Sequence, residues 1–499
     1  MKMPIETALK TGKIVEGTIC YTGDITDPNE TKYTLDYYVK KAKELESLGV
    51  HIFTIKDMAG LVKPYAAKKL VSALKEELNI PVNLHTHDST GNGVSTLLMA
   101  SEAGLDIADC AIGSMSSMTS NPCMNSLVEA LKGTERDTGL DTDELTELSQ
   151  YYARIRPIYK QFESGMDAPN TEIYKYEIPG GQYSNLLAQV KEMGAADDFE
   201  EIKGLYRDAN HLLGNIVKVT PSSKVVGDFA IFMFKNGLTK DNILEAGKDL
   251  SYPDSVVEYF EGMIGQPEGG FPEELQKIVL KDKKPISVRP GSLLPDEDFD
   301  YIAKGLKENF YMDNMEDPDV LSQKVLSYAL YPKVYEDYCR HFEAYNDVTG
   351  LESHVYFYGL RKGEETTLRL DEGKDLIIKF IDMTEPDKDG YRLLDFEVNG
   401  SIREIKVLDK NLEVKTDGRV KADKSNPAHL GSTIPGTVGK VLVNEGDEVT
   451  VNMPLMTVEA MKMETTVVST VNGKVDKIYV KEGEQVNQED LLISFEIDE

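Results

Sequence analysis

The sequence predicts a multidomain protein, α/β in its first part, helical in its middle and all-β toward its end. Three observations carry this reading. Strand-like and helix-like segments alternate from Ile14 to Ile112. Residues Val355 to Val407 alternate apolar and polar, with hairpin signals at Asp389-Gly390 and Asn399-Gly400. The segment beginning at Gly436, GTVGKVLVNEGDEVTVNMPLMTVE, recurs from Gly473 as GKVDKIYVKEGEQVNQEDLLISFE.

In the first part, Ile14 to Tyr21 is a β-rich run. Leu35, Tyr38, Val39, Ala42 and Leu45 then fall at helical spacing in a segment from Thr34 to Leu48, closed by Gly49. Strands are predicted at Val50–Lys56, Val82–His87 and Ile107–Ile112, with helices at Tyr65–Leu78 and Val94–Ala103 between them. This is the βα repetition of a TIM-type (β/α)8 barrel. Only four strands are legible where such a barrel has eight. The expectation is therefore the C-terminal part of a barrel over residues 1–140, with the other half supplied by a longer chain or by another polypeptide.

Residues 141–330 show helical periodicity, broken at Pro179-Gly180-Gly181. Residues 331–420 hold the alternating stretch and read as a β domain, whose kind the spacing alone does not choose. The run KADKSNPAHLGS, 421–432, is polar and contains proline, as a linker to a moving module would be. In 433–499 the duplication maps Gly446 onto Gly483, Val449 onto Val486, Leu455 onto Leu492 and Glu459 onto Glu496. Two similar halves of short strands with Glu-Gly turns imply a small β sandwich. Lys462, in Val-Glu-Ala-Met-Lys-Met-Glu-Thr, falls between the halves, at an exposed hairpin tip flanked by adaptable methionines.

Composition narrows the partners. With 55 basic and 86 acidic residues the chain carries a net charge of −31, which repels nucleic-acid phosphates and anionic membrane surfaces. Cys20, Cys110, Cys123 and Cys339 show neither disulfide-framework nor metal-ligand spacing, as expected of a reducing, cytoplasmic compartment. No run of about 18 apolar residues occurs, so no membrane span is predicted.

The chemical residues gather where strands of the first part end, the side on which such barrels keep their active sites. His85 and His87, two apart on a strand, point to one face, a geometry suited to one metal ion. Lys56 stands near the end of the preceding strand. A lysine there could form a salt bridge or a Schiff base instead; its ammonium would repel a metal, so it can join the histidines only if its charge is removed.

The duplicated frame with Ala-Met-Lys-Met resembles the biotin carboxyl carrier domain. The motifs IKDMAGL (55–61), NLHTHDSTGNG (83–93), PGGQYSNL (179–186) and VTPSSKVVGD (219–228) resemble the carboxyltransferase domain of the pyruvate carboxylase family. The resemblance runs through almost the whole chain. It implies biotin in amide linkage on Lys462, and a divalent metal, Zn or Mn, on His85, His87 and a carbamate formed by Lys56. It implies that Ser184 passes a proton between pyruvate and biotin, in a position where many members carry threonine. It implies that residues 141–330 are a helical extension closing the barrel mouth and that 331–420 form a small β-barrel-like domain with an allosteric and tetramerisation role, in a homotetrameric full enzyme modified by biotin protein ligase. Pyruvate and oxaloacetate are the implied substrate and product, with CO2 carried from an ATP-dependent biotin carboxylase domain or subunit. That domain, and the family's Arg-Asp-Ala-His-Gln strand, have no counterpart here, so neither complete half-reaction is expected of this chain alone. Two other readings are a biotin-dependent oxaloacetate decarboxylase α subunit and a non-catalytic biotinylated scaffold. The first commonly has a long Ala/Pro-rich tether, unlike 421–432. The coexistence of Lys56, His85 and His87 argues against the second.

Overall fold

The structure is a computed structural model that describes residues 2–163, 165–310, 315–409, 420–423, 426–460 and 463–497. It divides into two compact units: residues 1–290 with 419–499, and residues 291–418.

The first unit opens with helix α1 (Lys2–Leu9) and a four-stranded parallel sheet in the order β1 (Glu16–Cys20), β2 (Ile52–Asp57), β3 (Val82–Thr86), β4 (Ile107–Ala108). Helices α2 (Leu35–Ser47), α3 (Pro64–Glu77) and α4 (Gly93–Glu102) form the crossovers. The Thr34 side chain caps α2 by accepting from the Tyr37 amide, and Pro64 occupies the first turn of α3, where no backbone donor is needed. Gly17, Ile19, Phe53, Ile55, Val82 and Leu84 occupy one face of the sheet, and the buried ones pack with Leu45, Leu70, Val71, Leu74 and Leu97 of the helices. Each such side chain, fully buried, stabilises the fold by about 1.5–3 kcal/mol. Strand alternation sends Thr18, Cys20, Thr54, Lys56, Asn83 and His85 to the opposite face.

The fourth strand is shorter than Ile107–Ile112. Beyond Ala108 the chain leaves the sheet, and Ala111 forms an isolated bridge with Cys123. The Ala111 amide donates to Pro122 and the Met124 amide to Ala111, so the backbone polar groups there are satisfied by the returning loop rather than by the sheet.

Helices α5 (Met124–Leu131) and α6 (Thr142–Ile155) follow, then a helical layer of α7 (Ile173–Tyr176), α8 (Gly180–Glu192), α9 (Phe199–Leu212), α10 (Ser222–Lys235), α11 (Ile243–Ala246), α12 (Asp254–Glu261) and α13 (Glu273–Leu280). This layer has its own core around Leu186, Ile202, Tyr206, Phe229, Val256 and Phe260.

The second unit contains α14 (Phe299–Asn309), α15 (Pro318–Leu330), α16 (Pro332–Tyr345) and α17 (Ser353–Tyr358). Its sheet is an antiparallel meander of β5 (Glu365–Asp371), β6 (Lys374–Met383), β7 (Tyr391–Val398) and β8 (Ser401–Leu408). Gly390 and Gly400, both at positive φ, sit in the turns before β7 and β8 that the sequence marks.

The end of the chain returns to the first unit. It forms two four-stranded antiparallel sheets from β9 (His429–Gly431), β10 (Gly436–Val441), β11 (Glu448–Val449), β12 (Pro454–Ala460), β13 (Met463–Val468), β14 (Gly473–Ile478), β15 (Gln485–Val486) and β16 (Leu491–Ile497). The duplication is visible in the register. Thr437 pairs Glu459 as Lys474 pairs Glu496, and Gly436 pairs Val486 as Gly473 pairs Val449. Each half thus lends its short strand to the other half's sheet. Even the left-handed backbone recurs, at Gly446 and Gly483 and at Asn452 and Glu489. Part of the segment 421–432 is itself strand: β9 pairs with β16, and Lys421 bridges Asp490.

Candidate functional site

The site begins with strand register. Cys20, Lys56 and His85 are direct partners across β1, β2 and β3, so their side chains form one row on the face away from the helices, near the carboxyl ends of the strands. His87 follows two residues on. The rings of His85 and His87 stand 5.3 Å apart, inclined at 72°. Lys56 is half-buried and, among the described residues, forms no ion pair, unlike Lys203 and Lys218, which are buried against glutamates.

Both imidazoles are held through Nδ1. His85 Nδ1 lies 2.8 Å from Asp109 Oδ2, and His87 Nδ1 lies 2.6 Å from the Thr119 carbonyl oxygen. A carbonyl only accepts, and an ionised carboxylate only accepts, so in each pair the ring nitrogen donates. Nε2 is then the nitrogen that carries a lone pair in the neutral ring. Burial, foremost, holds the His87 ring below the ordinary histidine range, with His85 and Lys56 acting in the same direction against the Thr119 bond. A neutral ring is the form a metal requires. Among the described residues no three His, Cys, Asp or Glu side chains are grouped to hold a metal ion.

The turn after β2 supports this row. Asp57 is fully buried, and its carboxylate accepts from the amides of Leu61 and Val62 at 2.8 Å and from Thr86 Oγ1 at 2.9 Å. Burial nonetheless pushes its carboxyl above the ordinary range. Gly60 has φ +75°, and a Cβ there would lie 2.6 Å from the His87 carbonyl oxygen. Glycine is required twice over, by backbone conformation and by space.

Ser184 lies one turn into α8 and gives its hydroxyl to the Gly180 carbonyl at 3.1 Å. The first residue of that helix touches two of the site's supports: the Gly180 amide donates to Met58, and a Cβ on Gly180 would meet Thr119 at 3.3 Å. The structure therefore gathers Lys56, His85 and His87 on one face and brings the helix of Ser184 to their supports. Lys462 lies outside the described residues. Around it, β12 and β13 pair as far as Ala460 with Met463. Sequence reasoning missed Asp57, Asp109 and Thr119. Asp109 had a signal, since it alternates with Ile107, the register partner of Asn83, and so shares the face of His85. Thr119 acts through its backbone and left none.

Three family descriptions match the chain: HMGL-like at residues 22–151, conserved carboxylase domain at 173–379, and biotin-requiring enzyme at 427–495. Together they define the class, a biotin-requiring enzyme with a conserved carboxylase domain. Pyruvate carboxylase of Bacillus subtilis is 48% identical over 496 residues, 99% of this chain and 43% of the relative. The Staphylococcus aureus pyruvate carboxylase is 46% identical, with 99% and 43% covered. Among solved structures, the complete multifunctional pyruvate carboxylase from Rhizobium etli matches with TM-score 0.77 at 39% identity, covering 99% of this chain and 45% of that one. The carboxyl transferase domain of the same enzyme, solved with pyruvate and biocytin, matches with TM-score 0.77 at 42% identity, covering 82% and 68%. The chain belongs to the pyruvate carboxylase family. It spans less than half the length of the curated relatives it matches.

Proposed function

We propose that this chain is the carboxyl-transferring and biotin-carrying part of a pyruvate carboxylase, moving CO2 from carboxybiotin on Lys462 to pyruvate to give oxaloacetate. The observation that carries the reading is the row of Lys56 and His85 with His87 beside it, both rings tethered at Nδ1, in a chain whose end matches a biotin-requiring domain. The donor set fits a divalent cation, Zn or Mn: two neutral imidazoles through Nε2, and Lys56 as a carbamate oxygen. When bound, the cation supplies Lewis-acid polarisation of the pyruvate carbonyl and stabilises the enolate.

The protein's own groups do the rest. Among the described residues no carboxylate pairs with Lys56, and without an ion pair to hold its ammonium form its reaction with CO2 is favoured. The Ser184 hydroxyl would give its own proton to the biotin nitrogen that loses CO2 and take in its place the proton that leaves the pyruvate methyl, so the hydroxyl is restored. The contacts of Gly180 with Met58 and Thr119 position the helix that carries Ser184. The domain limits 1–140, 141–330, 331–420, 421–432 and 433–499 are proposed on the same ground, with the small β domain allosteric and the full enzyme tetrameric. A biotin carboxylase domain and a biotin protein ligase are the partners this role requires.

The test is exchange of label between pyruvate and oxaloacetate. The biotinylated chain is supplied in trans with the part of the Bacillus subtilis relative that lies outside the alignment. Exchange that requires this chain and disappears with His87→Ala supports the proposal. Exchange that is indifferent to both overturns it.

A further inference from the structure

We infer that the loop from Asp109 to Cys123 is a positioning element for the imidazole pair, and that Asp109 is the positioning residue within it. This rests on the reading of His85 and His87 as metal ligands, and adds what sets them in a ligating state.

The loop meets the segment after β3 with three consecutive carbonyls. Met118 O accepts from Ser89 Oγ at 3.0 Å, Thr119 O from His87 Nδ1 at 2.6 Å, and Ser120 O from the Asp88 amide at 2.8 Å. Asn121 Nδ2 donates back to the Thr86 carbonyl at 2.9 Å. To present those carbonyls the chain places two consecutive non-glycine residues in left-handed conformation, Ser117 at φ 74° and Met118 at φ 54°. Non-glycine residues at positive φ are costly, and two in a row persist only where surrounding bonds over-determine them. Here they do: Ser117 N donates to Asn121 O, and Ser120 N to Ser117 O. At the other end of the loop Asp109 takes the second imidazole through its carboxylate, and its other oxygen faces Asn83 Nδ2 at 3.4 Å.

One loop thus holds both rings, but by unlike acceptors. His87 is tethered to a neutral carbonyl and His85 to an anion. The anion does two things: it forces His85 to keep its proton on Nδ1, leaving Nε2 as the donor, and it raises the electron density at Nε2 when a cation approaches. A carboxylate behind a ligating histidine is worth about 10- to 100-fold in metal affinity.

The two effects are separable by substitution. Asp109→Asn keeps an acceptor oxygen and so keeps the tautomer, but loses the charge. Asp109→Leu, of similar size, loses both. With seven histidines in the chain, nitrogen-15 labelling of histidine resolves each ring. Without metal, the wild-type chain and Asp109→Asn are expected to show His85 protonated at Nδ1, and Asp109→Leu at Nε2, while His87 stays protonated at Nδ1 in all three. Titration with Zn2+ against a competing chelator is expected to show about 10-fold weaker binding for Asn and about 100-fold for Leu. His85 remaining protonated at Nδ1 in the Leu variant, or equal Zn2+ affinity in all three chains, overturns the inference. If the wild-type chain binds no Zn2+ while the tautomers behave as stated, the metal reading fails and the positioning role of Asp109 stands.

Discussion

Asp228, in the middle of α10, sits in the layer that carries Ser184, and its ionisation sets a pH dependence opposite to that of most carboxylates. The side chain is buried at 8% exposure; Oδ2 accepts from Ser255 Oγ at 2.5 Å, and among the described residues Oδ1 has no hydrogen-bond partner. Burial pushes the carboxyl up from 3.8 to about 6, with Ser255 and the more distant Lys224 opposing it. Because the folded value is raised, the folded chain binds more protons than the unfolded chain between those two values. Stability is therefore lost as pH rises through that window, and the loss is complete above about pH 7. It amounts to roughly 3 kcal/mol at most. Asp228→Asn keeps the acceptor for Ser255 and removes the buried charge. Against wild type it is expected to gain about 1–3 kcal/mol at pH 8, and nothing or a small loss at pH 4.5. Hydrogen exchange of α10 and α12 peptides at the two pH values reads this locally, and urea midpoints read it globally. The difference between the two chains isolates Asp228, since His87, whose folded value is lowered, titrates alike in both. Its contribution has the other sign, with stability lost as pH falls below the ordinary histidine range. A variant-minus-wild-type difference that is the same at pH 4.5 and pH 8 would refute the reasoning.

Further outcomes are expected elsewhere. Gly60→Ala places a Cβ against the His87 carbonyl at a left-handed position; it should cost more than about 2 kcal/mol in urea denaturation and move the His87 ring resonances, whereas an unchanged spectrum would mean the turn relaxes freely. Lys462 should be the one biotinylated residue after coexpression with a biotin ligase, so avidin reactivity that survives Lys462→Ala would count against the carrier assignment. In the complemented exchange assay, Ser184→Ala should lower turnover by about 100-fold or more with pyruvate KM little changed, and Ser184→Thr should retain activity, whereas an active alanine variant would make Ser184 a packing residue of α8.

What the sequence revealed, and what it hid, divides along a physical line. Periodicity made β1, β2 and β3 legible because burial on one face forces alternation, and the same alternation exposed Lys56, His85 and His87 as residues of the other face. The duplication of the last module was legible because a repeat needs no packing argument, and the structure repeats it down to paired registers and to left-handed Asn452 and Glu489. The end of β4 was not legible. Asp109 to Ile112 is as strand-like as Ile107 and Ala108, and only the return of Cys123 to bridge Ala111 takes the chain out of the sheet. The support of His87 was hidden for a deeper reason: a backbone carbonyl has no residue identity, so no pattern of side chains announces it.

The division of the sheet into two faces also separates what can be changed without unfolding from what cannot. Phe53 and Ile55 are buried against the helices, with exposures of 0% and 2%, while Lys56 lies between Ile55 and Asp57 and points the other way. Ile55→Ala should cost about 2–5 kcal/mol, the range for truncating a buried aliphatic side chain. Lys56→Ala removes no packed apolar group and breaks no ion pair among the described residues, so its effect on stability should stay within about 0.5 kcal/mol. Asp57, one step further on, returns to the packed side, where its carboxylate ties the Leu61 and Val62 amides to Thr86. Its loss would leave buried donors unpaired at a cost of about 1–3 kcal/mol each. Three adjacent residues, Ile55, Lys56 and Asp57, thus serve packing, the proposed chemistry and turn geometry in succession. The period of two in the strand keeps Lys56, the residue proposed to form the carbamate, clear of the groups that hold the fold, so Lys56 can be changed with little loss of stability.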